Sequence, residues 1–278
     1  MALDPGIVNR AAPPGSSRYF AQLYAPPAKR EALLALFAVE GEVRDSAENA
    51  NHDVAHTRLR WWRDEIERLA NGNAQHPATR ALQAQAADRG VFRRLHELVV
   101  SADMDLAHMT YANSRELHAY TERSGGVTTQ LAGLLLTDAP MAPDLMASLG
   151  QLGGAVREVE IVRDLRRDVR AGRLYMPLDQ LDVRHVKSQD LDTATPSDAA
   201  LALLADFSEQ AKARLREAMA AIPKDVRSAL RPVLVLAVLH ERLLRRTAQL
   251  KYDVFNQRID LRPLERAWSA WRAARRAS

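Results

Sequence analysis

The chain has 278 residues, with 39 Lys and Arg against 35 Asp and Glu, and no cysteine. The missing thiols exclude disulfides, thiolate metal sites and a cysteine nucleophile. The formal net charge of +4 is a weak surplus, and with no zinc-finger or RNP motif a nucleic-acid partner is not expected.

Ala, Leu, Arg and Glu dominate, and Val/Ile alternation is nearly absent, which predicts an all-α chain. The Gly-Pro-Ser-rich start predicts a flexible segment over 1–15. It has neither the charge layout nor the apolar run of an export signal, so a cytoplasmic location is expected. Helices are then predicted at Lys29–Glu48, Asp53–Leu69, Ala78–Asp88, Val91–Tyr111 and Ser114–Leu136. More follow at Asp144–Val169, Pro196–Ala220, Lys224–Lys251 and Arg262–Ala274, with a looser stretch over Tyr175–Thr195. No apolar run approaches the roughly 18 residues of a membrane span. No repeat or linker divides the sequence, so one helical domain over 1–278 is the simplest architecture.

Within "REVEIVRDLRRDVRAGRLYMP", Arg157, Glu160, Asp164 and Asp168 share one sector of a helix at about 100° per residue. A solvated face of i,i+4 charge pairs is one reading. A magnesium and diphosphate site is the other. Magnesium takes oxygen ligands and commonly bridges one or two carboxylates to phosphates. Asp164 and Asp168 would then be metal ligands, and Arg163 and Arg173 would neutralise phosphate oxygens.

The longer string separates the two. "RDLRRDVRAGRLYMPLDQL" closely resembles the second aspartate-rich motif of the squalene/phytoene synthase family, R-D-x-x-x-D-x-x-x-G-R-x-Y-x-P. Arg163, Asp164, Asp168, Gly172, Arg173, Tyr175 and Pro177 match it. "SSRYFAQLYAPPAKREALLALFAV", "YTERSGGVTTQLAGLLL" and "YDVFNQRI" resemble other segments in the family's order. The resemblance implies an isoprenoid-synthase fold, with all its helices around a central cavity. It implies head-to-head joining of two prenyl diphosphates by magnesium held between two facing aspartate-rich helices. Asp164, Asp168 and Tyr175 would be the catalytic positions.

The sequence departs from that pattern in two places. The first aspartate-rich motif should lie in "LFAVEGEVRDSAE", where Phe37 aligns with an aromatic, Gly41 with an Arg, and Arg44 and Glu48 with the two Asp. An Arg44–Glu48 i,i+4 pair would satisfy itself, and a guanidinium repels a cation. Asp45 with Glu48 is a rival metal pair, about 60° out of register. On the second helix, Arg157 and Glu160 stand where the family has Gln and Asn. Burying two ions requires pairing, so Arg157 with Glu160, or Glu160 with Arg44 across the cavity, is expected. These changes resemble a divergent branch of the family that includes a mitochondrial complex I assembly factor.

Of Trp61 and Trp62, one is expected in the core and the other partly exposed. No histidine spacing suggests a metal site. Ser124–Gly126 fits close helix packing or room for a lipid chain. The C-terminal helix sets Leu264, Trp268 and Trp271 on one stripe, with Arg262, Arg266, Arg272, Arg275 and Arg276 largely elsewhere. Contact with the inner membrane surface and docking onto the bundle both remain open. The favoured function is binding of a prenyl diphosphate or similar lipid with the parent condensation impaired. An active magnesium-dependent prenyltransferase and a non-catalytic assembly factor are the alternatives.

Overall fold

The computed structural model describes residues 3–49, 51–85, 88–137 and 141–277, and among them there are helices and no strands. In order the α-helices are α1 (Pro5–Ala11), α2 (Ser17–Gln22), α3 (Pro27–Ala47), α4 (His52–Ala70) and α5 (Pro77–Gln83). Then come α6 (His96–Leu106), α7 (Ser114–Thr121), α8 (Val127–Leu136) and α9 (Pro143–Arg170). The last are α10 (Leu178–Val183), α11 (Asp198–Ala221), α12 (Arg231–Gln249) and α13 (Pro263–Arg276).

Local chemistry sets the starts. Proline occupies the first turn of α3, α5, α9, α12 and α13, where its missing N–H costs nothing and its φ is already helical. Asn51 accepts from the Asp53 and Val54 amides to cap α4, and Ser197 accepts from Ala200 to cap α11.

Several boundaries differ from the sequence reading. The 1–15 segment contains α1, which buries Ile7 and Ala11 against α3. The helix expected from Lys224 starts only at Arg231, with Pro232 in its first turn and a 3₁₀ turn over Lys224–Val226 before it. The span Val91–Tyr111 is a 3₁₀ segment over Arg89–Leu95 followed by α6, which stops at Leu106. The helix expected over Ala78–Asp88 ends at Gln83, and residues 86–87 lie outside the described residues. The looser stretch contains α10.

Helix α9 is the axis of the bundle and packs against α7, α8, α11 and α12. Helix α3 packs against α1, α4, α5, α6 and α8. One apolar cluster gathers around α3, with Leu36, Leu59 and Phe92 fully buried; another surrounds the C-terminal half of α9, with Val159, Phe207 and Phe255. Burying each such side chain contributes about 1.5–3 kcal/mol. A π-helical turn over Glu122–Gly126 joins α7 to α8. There the glycines let the turn lie on α9: a Cβ on Gly126 would sit 2.6 Å from the Gly150 carbonyl oxygen. Close packing thus accounts for the glycines, and Gly125 also lines the cavity described next.

Candidate functional site: an apolar cavity with an arginine and carboxylate mouth

Helices α3 and α9 each turn one face toward a cavity of about 340 Å³. Its apolar wall includes Leu33, Phe37, Ala132, Leu152, Val156 and Leu236. A polar pocket of about 230 Å³ adjoins it, lined by Gly41, Asp45, Glu48, Asp164, Asp168, Arg173 and Tyr175 among others. Arg18, Arg44, Arg157, Glu160 and Arg163 line both spaces. Every site residue picked out in the sequence therefore lies in this one region.

The boundary between the spaces is an ion-pair network. Arg44 bonds the Glu160 carboxylate at 3.0 Å, Glu40 at 3.1 Å and the Ser124 carbonyl at 3.3 Å. Arg157 reaches Glu160 at 3.4 Å, and Arg18 reaches Glu40 at 2.8 Å while lying over the Phe37 ring. Both pairings foreseen for Glu160 are present. Burial alone would raise its carboxyl, but Arg44, Arg163 and Arg157 hold it well below the usual carboxylate range. The Arg44–Glu48 pair is not formed. Arg44 turns back to Glu40 and across to Glu160, while Glu48, at the exposed C-terminal cap of α3, is drawn to Arg173 at 3.6 Å.

Behind Arg157 lies a tyrosine cluster. Tyr175 donates to Asp105 Oδ1 at 2.7 Å and Tyr120 to Oδ2 at 3.1 Å. Arg157 donates to both hydroxyls, at 3.2 and 3.4 Å, and lies over both rings. Tyr111 stacks on the Tyr175 side. Burial raises the Asp105 carboxyl against the pull of Arg157 and the two hydroxyls. Tyr175 is thus a buried anchor for Arg157 and Asp105.

The second motif's carboxylates face the polar pocket, and all their oxygens but one are held by arginines. Arg163 grips Asp164 through Nε at 3.1 Å and Nη2 at 2.6 Å, and Arg258 adds a bond at 3.1 Å. Burial would raise the Asp164 carboxyl; Arg163, Arg167 and Arg258 bring it below its ordinary value. Arg167 holds Asp168 Oδ1 at 2.9 Å, with Arg173 at 3.5 Å. Asp168 Oδ2 is buried without a partner. Asp45 and Glu48 are exposed at the end of α3. Among the described residues no three carboxylate or imidazole groups converge as a ligand set. Magnesium needs oxygens free to enter an octahedron. Guanidinium groups hold both oxygens of Asp164 and Oδ1 of Asp168, leaving only Asp168 Oδ2, and Arg44 stands where the family pattern has the facing carboxylate, so this donor set does not fit the ion.

Sequence reasoning missed Arg18, Glu40, Tyr120, Asp105, Arg258 and His240. Glu40 was readable as the i−4 partner of Arg44. Arg18 and Arg258 lie inside the quoted segments "SSRYF" and "YDVFNQRI", but only the fold brings them to the mouth. His240 lines the cavity with Nδ1 2.8 Å from the Leu236 carbonyl, and burial lowers its imidazole below the usual value. The remaining candidates are minor. Trp62 is buried and Trp61 exposed; His52 and His56 are on the surface.

An all-helical bundle enclosing a cavity between two charged helices defines an isoprenoid-synthase fold. Solved structures agree. A dehydrosqualene synthase in complex with a ligand superposes with a TM-score of 0.79 at 18% identity, covering 94% of this chain and 91% of that one. A squalene synthase from Alicyclobacillus acidocaldarius gives 0.71 at 20% identity, covering 89% and 94%. Residues 11–265 match the squalene/phytoene synthase family, and the chain belongs to it. It is similar to a 15-cis-phytoene synthase from Synechocystis sp., 27% identical over 257 residues, 86% of this chain and 75% of the relative. A presqualene diphosphate synthase from Sinorhizobium fredii is 28% identical over 191 residues, 66% of this chain and 65% of that protein.

Proposed function

We propose that the protein binds a prenyl diphosphate or similar anionic lipid in the apolar cavity and does not perform the head-to-head condensation. The observation that carries this reading is Arg44, paired with Glu160 and Glu40 where the family resemblance expects a metal-binding carboxylate. Ionising an allylic diphosphate requires the leaving group's growing charge to be stabilised. Metal held from α3 and α9 together would supply that stabilisation, and α3 offers a guanidinium instead. The cavity argues against a role limited to assembly of other proteins, because its apolar wall has survived.

A second reading, an active prenyltransferase, is favoured by one feature. The unpartnered Oδ2 of Asp168 is an acceptor with no hydrogen-bond partner among the described residues. The test is direct. Purified protein is incubated with farnesyl or geranylgeranyl diphosphate and magnesium, and extracted hydrocarbons are resolved by mass spectrometry. No squalene- or phytoene-type product is expected. Either product from the unmodified protein would establish the second reading.

Peripheral contact with an anionic membrane surface completes the proposal. On α13 the side facing the bundle carries Ala270, Ala273 and Ala274, and Leu264, Trp268 and Trp271 face outward at 86%, 59% and 40% exposure. Arg262, Arg272, Arg275 and Arg276 are exposed around them. Such a face suits a lipid interface with negative head groups. No helix among the described residues is long and apolar enough to cross a membrane.

A further inference from the structure

We infer that the cavity mouth recognises its ligand's anionic head through guanidinium groups alone, without a divalent cation. This rests on the lipid-binding reading above and names how the head is held.

Three carboxylates anchor the mouth, and each is shared. Glu40 serves Arg18 and Arg44. Glu160 serves Arg44 and Arg157. Asp164 serves Arg163, Arg167 and Arg258. The adjoining polar pocket is balanced, since Asp168 takes up Arg167 and Arg173 and Asp105 faces Arg157. The lining of the apolar cavity is not: among the described residues it carries seven guanidinium groups against the three carboxylates of Glu40, Glu160 and Asp260. Arg18, Arg44 and Arg163 are mostly withdrawn from solvent, at 23%, 22% and 18% side-chain exposure. Sharing leaves these cations with unfilled donor capacity, since each guanidinium carries five N–H groups. Partly buried cations in excess are costly unless an anion joins them.

The position decides what that anion carries. Arg18, Arg44, Arg157, Arg163 and Arg258 all line the apolar cavity as well. A head group at the mouth therefore places an attached chain against Leu33, Phe37 and Val156. Arginine suits this task because its planar fork matches phosphate oxygens in pairs. The ligand class is an amphiphile with one long apolar chain and a phosphate or diphosphate head. A metal bridge is unnecessary, because the chain's own cations supply the charge that an ion would.

Isothermal titration of the intact protein tests this with farnesyl diphosphate in EDTA and in excess magnesium. Farnesol and inorganic diphosphate serve as chain-only and head-only probes. The dissociation constant in EDTA should lie within about threefold of that in magnesium. Farnesol and inorganic diphosphate should each bind at least about tenfold more weakly. Arg258→Gln, at an exposed position whose partner Asp164 keeps Arg163 and Arg167, should weaken farnesyl diphosphate about tenfold in EDTA and leave farnesol unchanged. Binding with magnesium that falls tenfold or more in EDTA would overturn this inference and leave the lipid-binding proposal standing. Farnesol binding as tightly as the diphosphate would also overturn the head-group inference alone. Inorganic diphosphate binding as tightly as farnesyl diphosphate would show that the head is held and the chain is not. Absence of binding by every probe in both conditions would overturn the inference and the lipid-binding proposal together.

Discussion

Arg44→Ala is the most informative single perturbation, because Arg44 joins α3 to α9. Its guanidinium bonds Glu160 at 3.0 Å, Glu40 at 3.1 Å and the Ser124 carbonyl at 3.3 Å, with the side chain 22% exposed. Stranding a buried charge by deleting its partner costs about 3–5 kcal/mol. Here each carboxylate keeps one partner, Arg157 for Glu160 and Arg18 for Glu40. The loss should therefore fall at the low end, about 3 kcal/mol. Combining Arg44→Ala with Glu160→Gln should cost less than the sum of the two, with a coupling of about 1–3 kcal/mol. Urea unfolding followed by far-UV circular dichroism measures both, with equal m-values required for the comparison. A loss for Arg44→Ala below about 0.5 kcal/mol, the worth of an exposed ion pair, would refute the reasoning. It would mean that water, rather than Arg44, solvates Glu160.

Glu160 and Asp164 both sit below their ordinary carboxyl values when folded, so the stability they give is present above their unfolded pKa values and lost as pH falls through the folded ones. Melting temperature should drop on acidification below about pH 4.5, the unfolded Glu value, and Glu160→Gln should flatten that limb; parallel profiles would refute the assignment. Gly126→Ala should destabilise by about 1–3 kcal/mol, because its Cβ would press on the Gly150 backbone, whereas a Cβ at Gly41 meets nothing within 4 Å. Gly41→Ala should instead stabilise α3 by about 0.5–1 kcal/mol, and denaturation midpoints of the pair check both signs. Trp268→Ala with Trp271→Ala should abolish co-sedimentation with phosphatidylglycerol vesicles and leave the melting temperature unchanged; retained sedimentation would exclude α13 as the contact.

The fold was legible because its determinants are local. The 3.6-residue period and the Asp-x-x-x-Asp sector located α9 within a residue or two at each end. First-turn prolines were harder to use: Pro232 sits inside an apparently continuous apolar pattern and moves the start of α12 to Arg231. The site was legible along each helix and obscure between them. Arg157, Glu160, Asp164 and Asp168 announce a shared face by spacing alone. Which cation meets which carboxylate depends on distances across the cavity. Sequence spacing therefore favoured Arg44 with Glu48, four residues on. The fold offers Arg44 the buried Glu160 instead, and leaves Glu48 exposed at a helix end.

The residues that depart from the family pattern form a matched set, and this governs which of them can be changed together. Arg44→Asp by itself would bring a third carboxylate beside Glu40 and Glu160, with Arg18, Arg157 and Arg163 left to balance them. Like charges that close cannot all stay ionised without cost. Glu160→Asn in the same chain removes one carboxylate, and Arg157→Gln removes the cation that Glu160 no longer needs. Glu48→Asp completes the pair on α3. Gly41→Arg then returns a positive charge at a position that lines the polar pocket and whose Cβ meets nothing within 4 Å. The five changes together should unfold closer to the unmodified protein than Arg44→Asp alone, by about 2 kcal/mol or more. Chemical denaturation of the two variants decides it. If the single change proves no less stable than the five together, the charges of α3 and α9 are independent, and the compensation argued from Arg44 and Glu160 fails.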